Sequence, residues 1–381
     1  MRLCLICTEK LPVPPVRGGA IQIYIAGVLP HLATDHDVTV VCRTDPALPD
    51  REECDGVRFV RLPAGPVPAV YFRHVAEFLA GEATFDLIDL FNRPAYLLAL
   101  ADAARGARIM LSLHNEMLGP DHLKAEAGGA TLARAAAVIT ISGYIARTVA
   151  AQHPAHAHKL HVVRSGVDTA AFRPPWAAAD RRSLVRCRLG LTGRDVVLHV
   201  SRLSPKKGNH LVLEAMAAVR RTHSRADLLL VGSRRYGSNE TDEYTAALLA
   251  RAPALSDGVH FTGFVSPDRL PDLFLAGDLF VCASQWPEPL ARVHYEAMAA
   301  GLPIITTDRG GNGEVIAPGV NGLFAQPHDD PAAFAACIRE LLDDPARRER
   351  LGRNGRARVE DHHTWDRVAR DLLEVFACAG S

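Results

Sequence analysis

Short apolar runs alternate regularly with segments of helical periodicity, and this pattern constrains the fold more than any other feature of the chain. The runs fall at 3–7, 38–42, 85–90, 109–113, 138–141 and 160–163, then at 196–200, 227–231, 259–262, 279–283 and 304–306. Runs of that length, apolar on both faces, fit strands of parallel sheets covered by helices on each side. Between them, residues 20–32 read as a helix. So do residues 209–221, where Leu211, Val212, Ala215, Met216 and Val219 share one face. Strand alternating with helix implies parallel sheets joined by right-handed crossovers. A chain of 381 residues, 48% apolar, is too long for one ordinary core and suits two such domains. The break falls near 168–192, which contains the turn Phe172-Arg173-Pro174-Pro175-Trp176 and a charged run. This gives an N-terminal Rossmann-like domain over 1–170, a linker over 171–191, a C-terminal Rossmann-like domain over 192–362 and a last amphipathic helix within 363–381.

Lys+Arg and Asp+Glu both number 43, and this balance argues against a general nucleic-acid or anionic-membrane binder. No apolar stretch reaches the roughly 18 residues of a membrane span. The apolar start is interrupted by Thr8, Glu9 and Lys10, so it reads as a first strand rather than a signal peptide, and a cytoplasmic protein is expected. Its eight cysteines are then expected as free thiols. Cys4 and Cys7, three apart on a strand, point to opposite faces and cannot share a metal. His153, His156, His158 and His161 have the look of a metal cluster but lack further ligands.

In open parallel sheets, ligands bind outside the carboxyl ends of the strands. After the first run stand Gly18 and Gly19, just before a helix, where backbone amides and the helix dipole can meet a phosphate. The fourth run leads to His114. The first run of the second series leads to Arg202 and Lys207, five apart, a fork and a point charge able to clamp a diphosphate. Further on come Gly232, then Glu288, then Asp308-Arg309-Gly310-Gly311. Each alone has an ordinary reading: a strand-to-helix turn for the glycines, surface charge for Arg202 and Lys207, a buried structural role for His114. Trp286 fits either stacking on a ligand or packing of its loop.

Glu288 and Glu296 are separated by seven residues. If the helix runs 291–300, eight steps span about 12 Å and return to nearly the same face. Two carboxylates so spaced suit a sugar and a ribose, with a diphosphate between them over the helix N-terminus. Gly301 and Pro303 supply the stop.

The run Arg202-Leu-Ser-Pro-Lys-Lys-Gly208, the E-x7-E from Glu288 to Glu296, and Gly310-Gly311-Asn-Gly-Glu314 stand in the order seen in retaining glycosyltransferases of family 4, which the chain resembles over nearly its whole length. Arg17-Gly-Gly-Ala-Ile-Gln-Ile-Tyr24, Leu113-His-Asn-Glu-Met117 and Gln285-Trp-Pro-Glu-Pro-Leu-Ala-Arg-Val-His-Tyr-Glu296 are similar to the spore-coat-associated members. The resemblance implies the GT-B fold: two Rossmann-like α/β domains facing across a cleft, the first on the acceptor side, the second on the donor side, the last helix packing back toward the first. It implies that a sugar moves from a nucleotide-diphosphate sugar, UDP foremost with guanine or adenine open, to an unidentified glycan, lipid-linked or protein acceptor. Spore coat or cell-surface glycan assembly is the implied setting. In that reading Gly18 and Gly19 meet the donor phosphate, and Arg202 and Lys207 neutralise the leaving diphosphate. Glu288 holds the sugar hydroxyls, Glu296 holds the ribose, and His114 lies near the transferring sugar. The backbone at Gly263, Phe264 and Val265 reads the base, Gly232 belongs to the donor-binding set, and Ala291, Arg292 and Val293 offer the helix N-terminus.

This sequence departs from the family at Leu290-Ala291, where Phe-Gly is usual, and at the loop after Gly232, which bears on base and sugar selectivity. Arg292 adds a charge near the expected phosphate. No Asp-x-Asp stands at a strand end, so neither a metal nor a cofactor is expected. A catalytically inactive sugar-binding or coat scaffold is the alternative function class. A nicotinamide dehydrogenase is excluded by the lack of G-x-G-x-x-G after the first run.

Overall fold

The computed structural model describes residues 1–379 except 83, 120, 235, 236, 238 and 252–257. It divides into two units, one of residues 1–166 with 365–381, the other of residues 167–364.

The first unit contains β1 (Arg2–Ile6), β2 (Asp37–Arg43), β3 (Arg51–Cys54), β4 (Val57–Leu62), β5 (Leu87–Phe91), β6 (Arg108–Leu113), β7 (Val138–Thr140) and β8 (Leu160–Val162). Their order is β3-β4-β2-β1-β5-β6-β7-β8. Every pair is parallel except β3 with β4. Leu3, Cys4, Ile6, Val38, Val40, Val41, Ile88 and Leu90 are fully buried, as strands covered on both faces must be. The antiparallel β3–β4 hairpin was not anticipated from the sequence. Its turn is Asp55-Gly56, both at positive φ (51° and 74°), the dipeptide that suits a tight two-residue hairpin. The last helix, Trp365–Cys378, belongs to this unit and packs on the helix Ala20–Leu32. The Trp365 indole fills the space over Gly27, where a Cβ would come within 2.2 Å of the ring.

The second unit contains β9 (Asp195–Val200), β10 (Ala226–Val231), β11 (Val259–Phe261), β12 (Leu279–Cys282), β13 (Ile304–Thr306) and β14 (Gly322–Phe324), ordered β11-β10-β9-β12-β13-β14 and parallel throughout. β14 is the one strand of this sheet that the apolar runs did not reveal.

Strand order fixes where a ligand can sit. In each sheet the chain moves outward from its first strand and then returns to that strand's other side. The reversal lies between β1 and β5 in one unit and between β9 and β12 in the other. At such a switch point the loops leave in opposite directions and open a crevice at the carboxyl ends. No helix among the described residues is long and apolar enough to cross a membrane.

Candidate active site

Two loops meet at the β9/β12 switch point. The first, residues 201–208, is set by a buried network. His199, inside β9, donates from Nδ1 to the Val281 carbonyl (2.8 Å), which leaves Nε2 to accept from the Asn209 amide (3.0 Å). Asn209 Oδ1 accepts from the Ser204 N–H (2.9 Å) and so pins the loop's far end. Burial holds His199 neutral, its pKa lowered to about 4. A 3-10 turn over Pro205–Lys207 then delivers Lys207, and Gly208 follows at φ 66°. A Cβ on Gly208 would lie 2.1 Å from the Ala283 carbonyl oxygen, so only glycine lets this loop close onto the loop after β12. The Gln285 N–H donates to the Lys206 carbonyl (2.7 Å) across the same seam.

Lys207 Nζ lies 2.6 Å from Glu288 Oε2. The same oxygen accepts from Ser284 Oγ (2.7 Å) and from the Trp286 indole N–H (2.8 Å). Burial alone would raise the Glu288 pKa; the Lys207 charge and these donors outweigh it and hold the group below its ordinary value. Trp286 thus packs its loop through a hydrogen bond, with Lys206 and Lys207 at 5.5 and 5.8 Å from its ring centroid. Gly310, at φ 64°, sits against the Glu288 backbone, where a Cβ would come within 2.0 Å of the carbonyl oxygen; that oxygen accepts from the Gly311 N–H (2.8 Å). Arg202 lies exposed on the β9 loop.

Beside this pair stand the ends of β10 and β11. Gly232 bridges to Gly263, and a Cβ on Gly232 would fall 1.9 Å from the Ser201 carbonyl oxygen. The Phe264 N–H donates to Asn239 Oδ1 (2.6 Å), and Val265 packs partly buried against the core. Arg235 and Tyr236, in the loop after Gly232, lie outside the described residues.

The helix after Glu288 runs Arg292–Ala299, with buried Ala291 as its N-cap and Val293 half-buried in its first turn. Glu288 is therefore not on the helix, and the eight-step spacing to Glu296 does not apply. The reason was present in the sequence: Pro289 steers Glu288 away from helical backbone angles. Gly301 does end the helix, at φ 71°, with its N–H on the Met298 carbonyl and the Leu302 N–H on the Ala297 carbonyl (both 2.9 Å). Arg292 faces along its own helix, with Nε 3.1 Å from Glu296 Oε1 and both side chains largely buried. Burial pushes the Glu296 carboxyl up, and Arg292 offsets part of that shift.

In the first unit, Gly18 and Gly19 have φ 84° and 103° and lead into the helix Ala20–Leu32. A Cβ on Gly19 would strike Gln22 Oε1 at 2.2 Å, and Gln22 Nε2 reaches Cys7 Sγ (3.2 Å) and the Leu11 carbonyl (3.3 Å). At the β1/β5 switch point Arg93 grips Glu9 through two contacts of 2.8 and 2.5 Å. His114 follows β6. Its N–H donates to Asn92 Oδ1 (2.7 Å), and its ring stands edge-on to Tyr24, 4.8 Å between centroids. Burial lowers its pKa to about 3, so it is neutral. His156 and His158 lie in a 3-10 turn, Pro154–Lys159, and no three metal-ligating side chains gather among the described residues.

Sequence reading missed His199, Asn209, Ser284, Asn239, Gln22 and the Glu9–Arg93 pair. A polar residue inside an apolar strand was the available signal for His199, and the position after Gly208 was the signal for Asn209. Ser284 reaches Glu288 only four residues on, but nothing in that spacing marks it out; Asn239, Gln22 and the Glu9–Arg93 pair join residues further apart in the chain, which no local pattern reveals.

The profile described as Glycosyltransferase Family 4 matches residues 18–171, and that described as Glycosyl transferases group 1 matches residues 186–358. The chain is 42% identical to spore coat protein SA of Bacillus subtilis over 99% of both chains. It is 31% identical to a GDP-mannose-dependent phosphatidylinositol monomannoside mannosyltransferase of Mycobacterium tuberculosis over 95% of both. Among solved structures, Anabaena HepE in complex with UDP-glucose superposes with a TM-score of 0.81 at 23% identity, covering 99% of both chains, which speaks for the fold. With the two doubly wound sheets and the charged switch-point crevice, these similarities establish that the chain belongs to glycosyltransferase family 4, with the GT-B fold and the spore coat proteins among its relatives.

Proposed function

We propose that the protein transfers a sugar from a nucleoside-diphosphate sugar, a UDP-sugar foremost, to a hydroxyl acceptor with retention at the anomeric carbon. The observation that carries this reading is the Lys207–Glu288 pair at the β9/β12 switch point, 2.6 Å apart and closed in by Gly208 and Gly310. In the reaction the bond between the anomeric carbon and the diphosphate breaks, and the diphosphate leaves with the electron pair. The acceptor oxygen bonds to the same carbon on the same face and gives its proton to the leaving phosphate. Arg202, Lys207 and the amides at the start of Arg292–Ala299 supply positive potential where that negative charge grows. Glu288 has one carboxylate oxygen engaged by three donors, which orients the other toward sugar hydroxyls. Glu296 accepts from the ribose, and the backbone at Gly263-Phe264-Val265 meets the base. For Gly18, Gly19 and neutral His114, in the first unit, the family resemblance supports roles toward the donor phosphate and sugar.

The name of the 42% identical relative favours a second reading, a coat component that binds sugars without turnover. Incubation with UDP-glucose, GDP-mannose and ADP-glucose, followed by phosphorus NMR, separates the two. Release of a nucleoside diphosphate supports transfer; intact donors in the presence of a glycan acceptor panel favour the scaffold. The anomeric configuration of the first-formed product, read by proton NMR, tests retention, and an inverted centre removes it.

A further inference from the structure

Arg292 stands in the first turn of the helix Arg292–Ala299, where a phosphate-facing cation would be expected, yet its charge is turned inward. Its Nε lies 3.1 Å from Glu296 Oε1, one helical turn on, with side-chain exposures of 13% and 5%. An isolated carboxylate at that depth would take up a proton rather than stay charged. Arg292 is the charge that acts on Glu296 among the described residues. Other polar groups around this helix have contacts of their own. Tyr295 is edge-on to His363, with ring centroids 4.9 Å apart. His294 contacts Thr306 Oγ1 (3.2 Å), whose hydroxyl donates to the Cys282 carbonyl (3.0 Å). From the helix Pro345–His362, Arg356 reaches the Ala299 carbonyl (2.6 Å) at the opposite end. Lys207 and Glu288 answer each other.

We infer that Arg292 is a positioning residue for nucleotide recognition: held against Glu296, it keeps that side chain a carboxylate, oriented to accept from ribose hydroxyls, rather than contacting phosphate itself. This inference rests on the ribose role proposed for Glu296. A protonated Glu296 has one oxygen converted to a donor and binds vicinal hydroxyls less well. Without Arg292, nucleotide affinity should therefore acquire a pH dependence at higher pH than in the wild type.

Isothermal titration with UDP, and with GDP if UDP gives no heat, tests this between about pH 5 and 9. In Arg292→Leu, affinity should fall toward acid pH with a midpoint at least one pH unit above that of the wild type, which is about a threefold loss midway between the two midpoints and approaches about tenfold below both. Arg292→Lys should keep the wild-type midpoint, and Glu296→Gln should bind weakly at all pH values. If Arg292→Leu does not fold, Arg292→Leu/Glu296→Gln removes both charges and should bind weakly with no pH dependence. Parallel profiles for wild type and Arg292→Leu, offset by a constant factor, would mark a direct phosphate contact or simple packing and overturn the inference. So would a double variant that keeps the wild-type profile. A wild type that binds neither nucleotide overturns the proposed function, and this inference with it.

Discussion

Removing Lys207 should reveal how firmly the crevice depends on one charge pair. Lys207→Met deletes the ammonium 2.6 Å from Glu288 Oε2 and retains most of the side-chain volume. Breaking a buried pair by removing one partner costs about 3–5 kcal/mol. Ser284 and Trp286 still donate to the same oxygen, so the low end, about 3 kcal/mol, is expected. For a unit of this size that is a fall in Tm of roughly 6–12 °C. Glu288→Gln keeps an amide oxygen for the Ser284 and Trp286 donors and should cost less. In the double variant neither charge is left alone, and the two losses should fall short of additivity by about 1–3 kcal/mol. Urea unfolding followed by tryptophan fluorescence reads all four proteins. Strict additivity would refute the pair as an energetic unit. On activity, Lys207→Met should lower kcat by about 10²–10³ and weaken donor binding less, because its target charge grows in the transition state. A loss confined to KM would contradict that.

Three further outcomes are expected. Gly310→Ala places a methyl 2.0 Å from the Glu288 carbonyl oxygen at φ 64° and should cost more than about 2 kcal/mol, whereas Gly319→Ala, also at positive φ but in open space, should cost only about 1 kcal/mol; equal urea midpoints would refute the close approach. Asp89 is buried in β5, its carboxyl accepts from Ser112 Oγ (2.8 Å), and burial raises its pKa to about 7. A carboxyl raised in the folded state gives stability that is full below about pH 4 and lost as pH climbs toward 7, so Asp89→Asn should gain up to roughly 4 kcal/mol on the wild type across that window; a difference that does not change with pH would contradict it. Glu296→Ala should weaken binding of the free nucleoside diphosphate, and unchanged affinity in a thermal-shift titration would count against the ribose role.

Much of this architecture was readable because both sheets are buried on two faces and the apolar runs mark them directly. The helix starts at Ala20 and Asn209 were legible for a related reason, since glycines at 18, 19 and 208 precede them. The hairpin of β3 and β4 was missed because Arg51, Glu52 and Glu53 hide an exposed edge strand, although Asp55-Gly56 announced its turn. In the candidate site, local spacing brought out Lys207 and Glu288 as charged strand-end residues, but not that they would face each other. That follows from β9 and β12 being neighbours, a fact of topology rather than of spacing. The helical ruler from Glu288 to Glu296 failed on Pro289, and the inward turn of Arg292 depended on how deeply its helix is buried, which no single-sequence pattern shows.

A crystal structure with a bound nucleoside diphosphate tests the central claim most directly. The account expects the phosphates at Lys207 and the first turn of Arg292–Ala299, with ribose hydroxyls on Glu296. A nucleotide seated away from the β9/β12 crevice, with Lys207 and Glu288 still paired and untouched, would contradict it.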